Sequence, residues 1–77
     1  MCLSYNLIQT KSGTQIKTGL ELLRRFGRYI KEIHRTQGEY DFVVELETKN
    51  ELELQKILKK HLNKLSQISG IRTMIAD

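Results

Sequence analysis

The sequence predicts an α+β plait, two helices on one face of a four-stranded antiparallel sheet. Three observations carry that prediction. Apolar residues alternate with period two in stretches at both ends and in the middle of the chain, which is the mark of half-buried strands. Two stretches between them place apolar residues at helical spacing. Glycines stand where the period changes, and there is no proline.

Residues 3–10 form the first strand, with Leu3, Tyr5 and Leu7 on one face. Lys11–Thr14 is a turn, after which Ser12 or Thr14 can cap a helix. In that helix Ile16, Leu20, Leu23 and Gly27 recur on one stripe with Gly19, and Lys17, Glu21, Arg24 and Arg25 point away. Gly27 closes it as a C-cap. Tyr29–Thr36 is a second strand; Ile30 and Ile33 are three apart, so a bulge or a bend is needed to put them on one face. Gln37–Gly38–Glu39 turns the chain, since glycine adopts positive φ at little steric cost. Tyr40–Thr48 is the third strand, in which Tyr40, Phe42, Val44 and Leu46 alternate with Asp41, Val43, Glu45 and Glu47. Asn50 with Glu53 three residues on is a capping-box start for the second helix. Its stripe is Leu54, Ile57, Leu58, His61, Leu62 and Leu65, and its acidic start and basic end suit the helix dipole. Ser69–Gly70 breaks the pattern before a last strand over 71–76. Right-handed crossovers turn the order β-α-β-β-α-β into the ferredoxin-like plait.

Seventy-seven residues make one domain, 1–77. A domain this short buries about 60% of its unfolded surface, so it gains from external support. One cysteine, Cys2, excludes an internal disulfide, and no Cys/His cluster suggests a metal or cofactor. Self-association is the remaining route. With Tyr5, Phe42, Val44 and Leu46 toward the helices, the bare face of the sheet carries Ile8, Val43 and Met74 beside Asn6 and Ser4. Covering it with a second protomer would make an ordinary dimer.

No apolar run approaches the ~20 residues of a membrane span, and no signal sequence is visible, so a cytoplasmic address is expected. The net charge of +4 permits nucleic-acid contact without requiring it. Arg24, Arg25, Arg28, Lys31 and Arg35 form a loose basic run that reads first as a solvated face. No aromatic-rich RNA-reading box occurs. His34 and His61 lack partners at ligand spacing, and His61 lies on an apolar stripe as a packing residue. Cys2 has no paired base. No Cys-x-x-Cys of a copper carrier and no arginine-bearing glycine loop of an acylphosphatase is present, so no enzymatic activity is expected.

The segment Arg35-Thr36-Gln37-Gly38-Glu39-Tyr40-Asp41-Phe42-Val43-Val44, followed at the far end by Ser69-Gly70-Ile71-Arg72-Thr73-Met74-Ile75, resembles the effector-binding domain of the Lrp/AsnC regulators over essentially the whole chain. The resemblance implies a non-enzymatic module that senses an amino acid, dimerises through its sheet faces and assembles into rings of dimers, commonly octamers or decamers. Full-length members add a helix-turn-helix domain that binds operator DNA, and this chain has no room for one. It resembles a stand-alone version, acting alone or with a helix-turn-helix paralogue. The implied effector site lies in clefts between dimers around Gly38, Tyr40 and Asp41, with Thr73 as a further candidate.

Chemically, Asp41 suits an α-ammonium through a charge-assisted bond, and backbone N–H groups near Gly38 suit an α-carboxylate. Two roles stay open to Asp41, ligand contact or a tie between the turn and nearby backbone. Tyr40 either walls the pocket or packs. Gln37 stands where the family often has threonine, which reshapes the cleft and leaves the effector's identity open. The strand ends at Asp77, so no C-terminal tail is expected to complete the pocket. Two other readings are a ligand-free interaction module and a basic nucleic-acid binder, the latter marked by salt-sensitive binding.

Overall fold

The structure, a computed structural model, describes residues 1–62 and 64–76. Its elements are β1 (Cys2–Thr10), α1 (Gln15–Phe26), β2 (Ile30–Arg35), β3 (Phe42–Thr48), α2 (Glu51–Leu62) and β4 (Ile68–Ala76). All strand pairs are antiparallel, in the order β2-β3-β1-β4. This is the expected ferredoxin-like plait, with β4 beginning three residues earlier than its apolar run suggests. None of the described helices is long and apolar enough to cross a membrane.

The strand β3 turns the faces it was expected to turn. Phe42, Val44 and Leu46 are buried, at 5%, 1% and 2% exposure. Residues directly opposite in an antiparallel pair share a face, and β3 pairs Phe42 with Ile8, Val44 with Asn6 and Leu46 with Ser4. The covered face of β1 is therefore Cys2, Ser4, Asn6, Ile8 and Thr10, all buried. This corrects the expected facing: Tyr5 lies on the bare face, and Ile8, Asn6 and Ser4 lie under the helices. The reason is hydrogen bonding. The buried Asn6 amide donates to Ser4 Oγ (3.0 Å) and to the Val44 carbonyl (3.2 Å), and its Oδ1 accepts from the Thr73 hydroxyl (2.8 Å). A satisfied polar ladder tolerates burial, so polarity did not decide the facing.

Val43 and Met74 do lie on the bare face, paired with Leu7 and Tyr5. With Leu3, Tyr5 and Leu7 beside them, that face is more apolar than expected. In β2 the register shifts between Ile30 and Glu32, so of the two expected ways to put Ile30 and Ile33 on one face, the structure shows the bulge.

The helix α1 is also turned. Its buried residues are Thr18, Leu22 and Phe26, whereas Ile16, Leu20 and Leu23, expected inside, are 73%, 64% and 48% exposed. At 100° per residue the packed face lies about a third of a turn away from the predicted stripe. Leu22 and Phe26, one turn apart, meet Phe42, Val44 and Leu46 in the core. The C-cap position is Gly27 as expected, but its backbone is right-handed (φ −48°, ψ −41°). A side chain there would put Cβ 2.6 Å from the Leu23 carbonyl oxygen, and this close approach is what requires glycine.

The helix α2 follows the sequence closely. Asn50 Oδ1 accepts from the Glu53 amide (2.9 Å), and Glu53 Oε1 accepts from the Lys49 amide (2.8 Å). Leu54 and Ile57 are buried, and Leu58 and Leu62 pack against the core; the helix ends at Leu62, so Leu65, expected on its stripe, is buried from the segment that follows it. The His61 ring meets Phe26 edge-on, with centroids 5.1 Å apart.

Candidate functional site

The turn between β2 and β3 is built by short-range bonds. The Thr36 amide donates to the Asp41 carbonyl (2.8 Å), and the Thr36 hydroxyl donates to the Tyr40 carbonyl (2.7 Å). Gly38 completes the reversal at φ +114°, a left-handed conformation that favours glycine. No atom lies within 4 Å of where its Cβ would be, so the backbone there is open to an approaching molecule.

The turn is then strapped to the end of β1. The Asp41 amide donates to the Ile8 carbonyl (2.8 Å), the Thr10 amide donates to Asp41 Oδ2 (2.7 Å), and Gln9 Nε2 donates to the Glu39 carbonyl (3.0 Å). The Thr10 amide holds the Asp41 carboxyl below the usual aspartate range; partial burial opposes this, and the neighbouring Gln15 side chain and Arg35 guanidinium favour it. Asp41 is thus a fixed carboxylate. The structure shows the tie to nearby backbone through Oδ2, with the Thr10 hydroxyl and the Gln15 side chain also beside the carboxylate.

Gly38, Tyr40 and Asp41 sit together in this turn, and Tyr40 is half-buried. Thr73 is elsewhere. It pairs with Asn6, four residues along β1 from Thr10, or about 13 Å away at strand rise. Its hydroxyl is engaged with Asn6 Oδ1. Within one protomer the four candidates do not share a cavity.

A hollow that the sequence did not single out lies beside the turn. It has a volume of about 290 Å³ and is lined by Gln15, Ile16, Gly19, Leu20, Arg35 and Phe42, among others. No sequence signal marked it, because Ile16, Leu20 and Leu23 form as continuous an apolar stripe as a core face does. A larger hollow of about 600 Å³ lies at the other end of β2, where Arg28, Lys31 and Lys49 mix with Glu47 and Glu53. It contains none of the candidate residues.

The basic run is dispersed. Arg24 and Arg25 both bind Glu21 Oε2, at 2.9 and 3.2 Å, and Arg28 lies over the Tyr29 ring. Among the described residues, no group of three or more His, Cys, Asp or Glu side chains is placed to hold a metal ion.

Comparison with known proteins places this geometry. The chain is 33% identical over 73 residues to the HTH-type transcriptional regulator FL11 of Pyrococcus abyssi, covering 95% of this chain and 46% of that protein. The chain therefore spans about half the length of the regulator it matches. The crystal structure of hypothetical protein PHS023 from Pyrococcus horikoshii superposes with a TM-score of 0.89 at 28% identity, over 100% of this chain and 90% of that one. Escherichia coli AsnC superposes with a TM-score of 0.81 at 20% identity, over 97% of this chain and 50% of that one, which shows the shared fold. The family model for the Lrp/AsnC ligand binding domain matches residues 8–76, and with the FL11 identity this shows that the chain belongs to the Lrp/AsnC ligand-binding-domain family.

Proposed function

We propose that this chain is a non-enzymatic module that binds an amino acid at the β2–β3 turn and couples binding to self-association, in the service of transcription regulation. One observation carries the reading: a family ligand-binding domain that fixes a carboxylate, Asp41, beside an open glycine turn with φ +114°. Asp41 Oδ1 receives the α-ammonium. Backbone N–H groups around Gly38 receive the α-carboxylate, and Tyr40 walls the cleft.

The bare sheet face supports the second half of the proposal. Leu3, Tyr5, Leu7, Val43 and Met74 form an apolar layer on that face, and Met74 is 46% exposed. A second copy laid over it forms a dimer, and neighbouring dimers in a ring close the cleft at the turn. Thr73 belongs to the site as a contribution from another copy. An effector shifts such an assembly by its difference in affinity for the two states. The likeness to FL11, named an HTH-type transcriptional regulator, supports a second reading, in which the chain pairs with a DNA-binding paralogue through the same sheet face.

Calorimetry with the twenty amino acids tests the effector. At least one binds the wild-type protein, and Asp41→Ala weakens it about tenfold or more while a thermal melt shows the fold retained. No heat from any amino acid at millimolar concentration overturns the sensing reading. Sedimentation tests the assembly, and a monomer at micromolar concentration overturns it.

A further inference from the structure

We infer that the outward stripe of α1 is a docking surface for a partner protein, and that the docking segment is a helix with an apolar stripe between acidic flanks. The inference goes beyond amino-acid sensing and does not depend on it. Ile16, Leu20 and Leu23 are all exposed along one side of α1. Ile16 to Leu23 is about 10 Å of helix. A partner helix with apolar residues at i, i+3 or i+4, and i+7 covers the same length. The surface beside the stripe is concave: the hollow of about 290 Å³ runs in to Ile33 and Phe42. Gly19 adds no side chain to it, and since a Cβ there would come within 3.2 Å of the Phe42 ring, glycine is what lets α1 lie so close. A protruding side chain fills such a depression, and a flat lipid surface does not.

Charge names the partner. Lys17 and Arg24 each follow a stripe residue, so at 100° per residue they border the stripe on its outer side. Arg35 borders the hollow on its inner side, and all three cations are exposed. Among the described residues, no acidic side chain lines the hollow. Two acids stand near it, and both are engaged: Glu21 accepts from Arg24 (2.9 Å) and Arg25 (3.2 Å), and Asp41 accepts from the Thr10 amide (2.7 Å). A carbon floor between cationic rims complements a carbon stripe between carboxylates. An isologous contact between two copies would set the same cations against each other, which disfavours a second copy as the occupant. The strand β2 beside the hollow is an edge of the sheet, but its bulge and the charged Lys31, Glu32 and Arg35 blunt it against strand addition. The segment therefore lies along α1 as a helix.

The test is fluorescence anisotropy of the full chain with three labelled synthetic peptides: a helical one with leucines at i, i+3 and i+7 flanked by glutamates, the same pattern with lysines for the glutamates, and the glutamate peptide scrambled. The wild type binds the acidic helix about tenfold or more tighter than either control, and added salt weakens the binding. Leu20 is exposed, so Leu20→Glu spares the core, and it weakens binding about tenfold or more. Lys17→Glu combined with Arg24→Glu turns the preference toward the lysine peptide. No binding of the acidic helix, or equal binding of a control, overturns the inference. Phosphatidylglycerol vesicles bound in place of the peptide assign the stripe to a membrane and overturn it. A Leu20→Glu protein that sediments as a smaller species than the wild type assigns the stripe to a contact between copies and overturns it too.

Discussion

The two helices have the same length, twelve residues, and opposite designs. The helix α2 is finished by its own side chains: Asn50 and Glu53 bind its first amides and the chain before it, acids stand in its first turn, and Lys59, Lys60 and His61 stand in its last. The helix α1 is unfinished. Its cap residue bonds elsewhere, its first turn has no acid, and it presents Ile16, Leu20 and Leu23 to solvent. A helix that satisfies its ends and hides its apolar stripe serves the fold. One that leaves both open keeps an unpartnered end and an apolar stripe on the surface, and the contrast makes α1 the less self-sufficient of the two helices.

The largest test of that contrast is a pair of neighbours. Leu22 is fully buried and Leu23 is 48% exposed. Leu22→Ala leaves a cavity between α1 and the sheet and is expected to cost about 2–5 kcal/mol, a large share of the ~5–15 kcal/mol that holds a domain folded. Leu23→Ala is expected to cost less than about 1 kcal/mol. Urea midpoints of the two variants decide the matter. Equal losses would mean that α1 packs through the face read from the sequence after all.

The caps give a smaller test. Asn50→Ala removes the acceptor for the Glu53 amide and is expected to cost about 1 kcal/mol. Thr14→Ala removes an exposed bond to the Lys11 carbonyl that caps nothing, and is expected to cost less than about 0.5 kcal/mol. If thermal melts rank the two in the opposite order, α1 is capped in solution by a contact that the protomer alone does not show.

Element order, the turn at Gly38, the β2 bulge and the α2 capping box were all legible, because each depends on local spacing and local chemistry. The facing of β1 and α1 was not. In β1 both faces offer a plausible inner set, Leu3-Tyr5-Leu7 against Ser4-Asn6-Ile8, and the second is tolerated inside because Asn6 finds partners on its neighbour Ser4 and on Val44 and Thr73 far along the chain. In α1 the stripe Ile16-Leu20-Leu23 is as apolar as Leu22-Phe26, so hydrophobicity alone does not choose which of the two packs. At the site, the glycine and the carboxylate were legible as a motif. The hollow was not, since it exists only where α1, turned outward, meets Arg35 and Phe42. The tie from Asp41 to Thr10 joins residues 31 apart, which sequence spacing does not reveal.

The smallest test uses the residue that joins the two helices. His61 stands in the last turn of α2, and its ring meets Phe26 of α1 at an interplanar angle of 72°. Burial holds its pKa below the ordinary value near 6.5, and the charges of Lys60, Arg25 and Lys64 push the same way. The folded protein therefore keeps the ring neutral where the unfolded chain would protonate it. The unfolded state binds more protons between the lowered folded pKa and about 6.5, so stability is complete above that window and falls as the solution is acidified through it. His61→Phe keeps an aromatic ring against Phe26 and removes the proton, so its urea midpoint should fall less between pH 7 and pH 5 than that of the wild type. His34 is the comparison, exposed on the sheet edge with its Nε2 3.3 Å from Glu32 Oε2. If His34→Gln flattens the profile and His61→Phe leaves it unchanged, the contact between the helices is not what acid loosens, and the junction of α1 with α2 is as indifferent to protonation as the exposed sheet edge.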